Sequence, residues 1–142
     1  MGNKKWYITG DTHGGRNLLN RIKSNNLPEG SNLIILGDVG INFYLNEEEK
    51  DIKEKISNLG ISIFCVRGNH DYRPSHLDDI CLQYVDFIEG EVFIERKYPN
   101  IYYLKDGSTY IFDNKKCLVI GGAYSVDKWD RIFSHNIWFE DE

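Results

Sequence analysis

The sequence predicts an α/β protein, with parallel βαβ units over residues 5–71 followed by an antiparallel meander. Three observations carry that expectation. Three short apolar runs each end in glycine and polar residues. Stretches of helical spacing lie between them, so equivalent strand points fall about 30 residues apart, the length of a βαβ unit. Past residue 100 the pattern changes to short β-rich runs separated by Asp-Gly and Asp-Asn turns.

Taken in order, the first run is Trp6-Tyr7-Ile8-Thr9, which leads into Gly10-Asp11-Thr12-His13-Gly14-Gly15. Near-continuous apolar runs of this length read as strands buried on both faces. Leu18, Leu19 and Ile22 then share one face of a short helix, stopped by Asn25-Asn26 and Pro28. The second run, Leu33-Ile34-Ile35-Leu36, delivers Gly37-Asp38-Val39-Gly40. Asn46 is the expected cap of a second helix, with Glu47, Glu48 and Glu49 in its first turn, where the helix dipole favours anions. Ile52, Ile56 and Leu59 recur at i, i+4 and i+7, and Gly60 ends the helix. The third run, Ile61 to Val66, delivers Arg67-Gly68-Asn69-His70-Asp71. Beyond it the pattern predicts a helix near Leu77 to Leu82 and a strand near Val92 to Ile94. A hairpin is expected from Ile101–Leu104 through Asp106-Gly107 to Tyr110–Phe112, and Asp113-Asn114 turns the chain into Cys117–Ile120.

With 142 residues and no linker or low-complexity tract, residues 1–142 are expected to form a single domain. Hydrophobic residues at 41% and charged residues at 27% match an ordinary globular protein and exclude intrinsic disorder, collagen and coiled coil. A net charge of −5 argues against nucleic acid as a partner, other than as a substrate, and against an anionic membrane surface. No apolar run approaches the roughly 18–20 residues of a membrane span, and the N-terminus has no apolar signal region. Cys65, Cys81 and Cys117 show no CxxC spacing, and Cys65 and Cys117 sit in apolar runs as small buried hydrophobes. The expected setting is a reduced cytoplasm.

In open α/β sheets, ligands bind outside the carboxyl ends of the strands. All three strands deliver polar clusters there: Asp11 and His13, Asp38, then Asn69, His70 and Asp71. A single Asp-x-His or Gly-Asp after a strand is weak and can be plain turn punctuation. Three such clusters with complementary donors point to a shared metal or phosphate site. Carboxylate, imidazole and carboxamide without thiolate suit Mn, Fe or Zn in a five- or six-coordinate site.

Those three clusters resemble the first three motifs of the calcineurin-like metallophosphoesterases. The segment from Gly121 to Lys128, with Arg131 following, is similar to one found in bacterial and phage members. The resemblance implies a partial α/β/β/α metallophosphoesterase sandwich that hydrolyses phosphomonoesters, phosphodiesters or nucleotides with divalent ions, manganese foremost and iron or zinc as alternatives. It implies that Asp11 and His13 hold a first metal, Asp38 bridges two, and Asn69 holds the second. His70 would face the phosphate as acid or transition-state stabiliser, oriented by Asp71. Arg67, Arg73 and Arg131, with Lys128, have two readings: a phosphate-binding pocket, or solvated charges.

The family's later histidine motifs have no counterpart in this sequence, where His76 is read as a surface residue and His135 as a packing one. The expectation is a C-terminally truncated domain with a weak second metal site. Trp129, Ile132, Phe133, Ile137, Trp138 and Phe139 then either fold back on the sheet or form an apolar patch, which implies a homodimer or a protein partner. Two functions follow. One is a phosphoesterase or a degenerate member of that family. The other is a non-catalytic binding or inhibitor protein on half of the fold, such as a phage-encoded, anti-CRISPR-like antagonist of a bacterial defence system.

Overall fold

The computed structural model describes residues 4–122, 125–134 and 138. Strand β1 (Trp6–Thr9), helix α1 (Gly15–Ser24), β2 (Asn32–Leu36), α2 (Glu47–Ser57) and β3 (Ser62–Val66) alternate as the apolar runs and helical spacings predict. There follow β4 (Ile80–Val85), β5 (Gly90–Glu95), β6 (Ile101–Leu104), β7 (Thr109–Phe112), β8 (Lys115–Leu118) and α3 (Lys128–Phe133), with one-turn 3₁₀ segments at Pro74–His76 and Asp86–Ile88. Six strands form one sheet in the order β1-β2-β3-β6-β5-β4, and β7 pairs with β8 in a second. β1, β2, β3 and β6 run parallel, and β5 and β4 close the far edge antiparallel.

Side-chain alternation along the strands divides the core in two. Leu33, Ile35, Ile63, Cys65, Ile101 and Tyr103 face α1 and α2, where they meet Leu18, Ile22, Ile52 and Ile56. Ile34, Phe64, Val92, Ile94 and Leu104 face the β7–β8 hairpin and meet Tyr110 and Phe112. On that side Phe64 stacks on Tyr102 at 4.7 Å between centroids, and Trp6 lies 5.1 Å from Phe112. The result is a mixed α/β arrangement with helices on one face of a mostly parallel sheet and a short antiparallel pair on the other. The hairpin leaves part of the β1–β2 edge uncovered, with Ile8 67% and Leu36 54% exposed.

Two expectations for the second half are corrected. The Asp-Gly hairpin does not form between β6 and β7. Apolar on both faces, β6 is inserted beside β3, where burial is greater than at a hairpin edge. Gly107, at φ +75°, instead swings the chain out of the large sheet, and its N–H donates to the Val119 carbonyl. The true hairpin turn is Asp113-Asn114, both residues at positive φ, as a two-residue primed turn requires. The helix expected near Leu77–Leu82 is a strand. Pro74 and Asp79 (φ 55°) leave room for one 3₁₀ turn, and Ile80–Val85 then pairs with β5 along six positions. No helix among the described residues is long and apolar enough to cross a membrane.

Candidate metal centre

Asp38 is the hub on which the three strand-end loops meet. It follows β2 at φ 45° and is buried. Its main-chain carbonyl accepts from the N–H groups of Thr12 and His13 at 3.2 and 3.0 Å, which fixes the loop after β1. Its Oδ1 accepts from the His70 N–H at 2.8 Å, which fixes the loop after β3. Thr12 adds a hydroxyl bond to the Val39 carbonyl at 2.7 Å, and Gly15 N–H donates to Gly40 O at 2.9 Å. The loops approach so closely that a Cβ at Gly68 would fall on the Asp38 carboxylate, and one at Gly40 on the backbone of Gly14. Glycine is required at both positions for steric reasons.

Three donors converge on this hub. His13 Nε2 lies 3.1 Å from Asp11 Oδ2 and 3.9 Å from Asp38 Oδ2. One ligand atom from each of Asp11, His13 and Asp38 lies within 4.8 Å of the others. Two carboxylates this close repel each other unless a proton or a cation lies between them. With an imidazole as the third donor and no thiolate, the set fits a divalent cation of the Mn, Fe or Zn type. The side chains of Asp11 and His13 are about half exposed, so the position is open to solvent on one side.

Around it stand the residues of the third loop. Asn69 Nδ2 donates to Ser125 Oγ at 2.8 Å, which leaves its carbonyl oxygen as the end able to ligate. Arg131 Nη1 reaches the same Ser125 oxygen at 3.4 Å. The His70 ring lies edge-on to His13, 5.8 Å between centroids. Asp71 is buried, and its carboxylate accepts from the Val39 N–H at 3.0 Å and the Gly68 N–H at 2.9 Å. It stitches the second loop to the third through the backbone. Burial pushes its carboxyl up to about 6, with the Asp38 charge adding to the rise and the backbone N–H bonds opposing it.

From this candidate metal site a cavity of about 490 Å³ runs over the start of α1 toward α2, lined by His13, Asp38, Arg16, Tyr44, Glu48 and His70 among others. That is the size range of small-molecule sites, roughly 300–1,000 Å³. Its far wall is the loop before α2. Glu49, buried, accepts from the N–H of Phe43 at 2.9 Å, of Tyr44 at 3.1 Å and of Leu45 at 2.7 Å. Asn46 caps the helix by accepting from the Glu49 N–H at 3.0 Å, as expected. Sequence reading placed Glu49 only as a first-turn acid. The Asn46-x-x-Glu49 spacing, a capping-box pattern, is the signal that could have found it, although the carboxylate reaches past the cap to residues 43–45.

The three arginines do not line this cavity. Arg67 is ion-paired with Asp106 at 3.1 Å, and its carbonyl accepts from Gly122 N–H at 2.6 Å, so it anchors the chain after β8. Arg131 is buried, its guanidinium 5.9 Å from the Phe43 ring centre and 5.1 Å from that of Trp138. Arg73 precedes the 3₁₀ turn at Pro74–His76. His76 is exposed at the end of that turn, as read from the sequence, and packs its ring 6.2 Å from Tyr72. His135, Ile137 and Phe139 lie outside the described residues. Cys65 is buried as expected, whereas Cys117 is only half-buried, at the edge of the hairpin.

A parallel sheet whose strand ends bring Asp, His and Asp within ligating distance defines an α/β protein with a candidate metal site. The family model for calcineurin-like phosphoesterases matches residues 5–141, and the chain belongs to that family. Comparison with curated proteins and with solved structures gave no match.

Proposed function

We propose that this chain is a metal-dependent phosphoesterase that hydrolyses phosphate esters in the cytoplasm. The observation that carries the reading is the convergence of Asp11, His13 and Asp38 within 4.8 Å at the carboxyl ends of β1 and β2. These three would hold a divalent cation, manganese foremost, and Asn69 would offer a carboxamide oxygen to a second, more weakly held one. When bound, such ions activate water near neutral pH and neutralise phosphate oxygens. Asp38 fixes the geometry, since its remaining acceptor atoms are committed to backbone N–H groups. His70 stands beside the donors with its main chain held by Asp38, and it would give a proton to the leaving oxygen. Three free thiols fit a reducing compartment.

Two measurements test this reading. Calorimetric titration with Mn(II) should give binding heat for the wild type and none for Asp38→Ala; equal heats from both would place the metal elsewhere. At saturating Mn(II), His70→Ala and Asp11→Ala should each lower turnover of an activated aryl phosphate at least about tenfold, or about 1.4 kcal/mol in the barrier. Identical background from wild type and variants would end the enzyme reading.

One observation favours the second reading, a binding protein. Trp129 and Phe133 on α3 stack at 6.1 Å and are 62% and 74% exposed, an aromatic surface suited to a second copy or a protein partner. Light scattering should then show a dimer that Phe133→Asp returns to monomer. A wild type already monomeric at high concentration would remove the homodimer.

A further inference from the structure

We propose that the leaving group of the substrate carries a planar aromatic ring, which stacks on Tyr44 at the far wall of the metal-centre cavity. This rests on the phosphoesterase reading above and names the class of substrate: an aryl or nucleoside phosphate rather than an aliphatic one.

Tyr44 lines the cavity that also contains His13, Asp38 and His70. A large aromatic side chain left 65% exposed in a cavity wall offers a ring face to whatever enters. Phe43 backs it edge-on, with centroids 4.7 Å apart and planes at 85°, and Phe43 in turn lies 5.8 Å from the His70 ring. The rings thus form a continuous track from the centre where the phosphate would sit to the far wall. The backbone that carries them is tied down. The N–H groups of residues 43, 44 and 45 all converge on the buried carboxylate of Glu49, and Leu45 is held at φ 53°. Burying a carboxylate to immobilise three residues outside the main core makes sense if the rings themselves must be placed. Preorganised aromatic surface binds a planar ring with little loss of side-chain freedom. At the mouth, Arg16 and Glu48 pair at 2.8 Å and offer polar contacts that hydroxyl groups of a sugar can share.

The test uses ligands with no ester bond to break. Phenylphosphonate and methylphosphonate present the same phosphonate head, one with a ring and one without. Titrated into the Mn(II)-loaded protein, phenylphosphonate should bind at least about fivefold more tightly, the scale of one ring–ring contact. Tyr44→Ala should abolish that preference without weakening methylphosphonate, and Tyr44→Phe should retain it. Displacement of the bound phosphonate by adenosine monophosphate and by ribose 5-phosphate separates the sources. Stronger displacement by the nucleotide points to a base, and equal displacement with the phenyl preference intact points to a ring borne directly on the phosphate. Equal affinity for both phosphonates together with equal displacement would overturn the proposal while leaving the phosphoesterase reading standing. Mn(II) binding without binding of either phosphonate would overturn the phosphoesterase reading itself.

Discussion

Asp71 is the residue whose chemistry sequence reading placed least well. The Gly-Asn-His-Asp motif pointed to an acid that orients His70, whereas its oxygens go to the backbone N–H groups of Val39 and Gly68. A backbone tie of this kind leaves no mark on side-chain spacing. Asp71→Ala would strand the N–H groups of Val39 and Gly68 at about 1–3 kcal/mol each, so urea unfolding should show a loss of about 2–6 kcal/mol with a comparable m-value. Asp11, His13 and Asp38 were legible because each directly follows an apolar strand. Cys65 was legible for the opposite reason, being placed inside one. Burial, aided by the nearby charges of Asp71 and Glu95, pushes its thiol well above the usual range. Iodoacetamide should therefore label Cys117 in the native protein and reach Cys65 only after denaturation; labelling at equal rates would show that β3 opens readily.

At the level of elements, the βαβ half was readable because its strands are short apolar runs and its helices keep a 3.6-residue period; burial on both faces holds for most of β2 and β3 but not for β1, an edge strand with Ile8 exposed. The second half was not readable, because a four-residue strand such as β6 reads the same beside β3 as in a hairpin. Only the tertiary gain from filling the gap between β3 and β5 decides between them. The α2 N-terminus joins a legible feature, the Asn46 cap, to a hidden one, the Glu49 clasp on residues 43–45. Asn46→Ala should cost about 1 kcal/mol, as lost caps do. Glu49→Ala should cost about 1–3 kcal/mol by releasing three N–H groups, and should broaden the amide signals of Phe43, Tyr44 and Leu45 by NMR. Unchanged signals there would mean that the loop holds its shape without the carboxylate.

Across the whole molecule, the helical layer is braced by an interaction invisible in the sequence. Lys53 of α2 donates to both carboxylate oxygens of Glu95 on β5, at 2.9 and 2.8 Å, and to Asn42 Oδ1 at 2.9 Å. Tyr103 donates to Glu95 Oε1 at 2.6 Å and accepts from Asn42 Nδ2 at 2.8 Å. Residues 42 and 53 are far in the chain from residues 95 and 103, and the crossing of α2 over β5 and β6 brings the two pairs together. Removing one charge leaves the other buried and unpaired, so Lys53→Met should lose about 3–5 kcal/mol. Lys53→Met with Glu95→Leu should recover much of that loss, since apolar replacements of a buried pair are often near neutral. A double variant as unstable as the single one would show that Asn42 and Tyr103 depend on the ions. The meeting of three loops at Asp38 has a different kind of consequence. Because its carbonyl and Oδ1 are already bound to neighbouring loops, the loop junction at Asp38 keeps its shape with or without an ion. Chelation should therefore act as a reversible switch rather than as a denaturant. Stripped protein should melt cooperatively, lower only by the ligand's mass-action contribution, and should recover on adding the ion back, with no refolding lag.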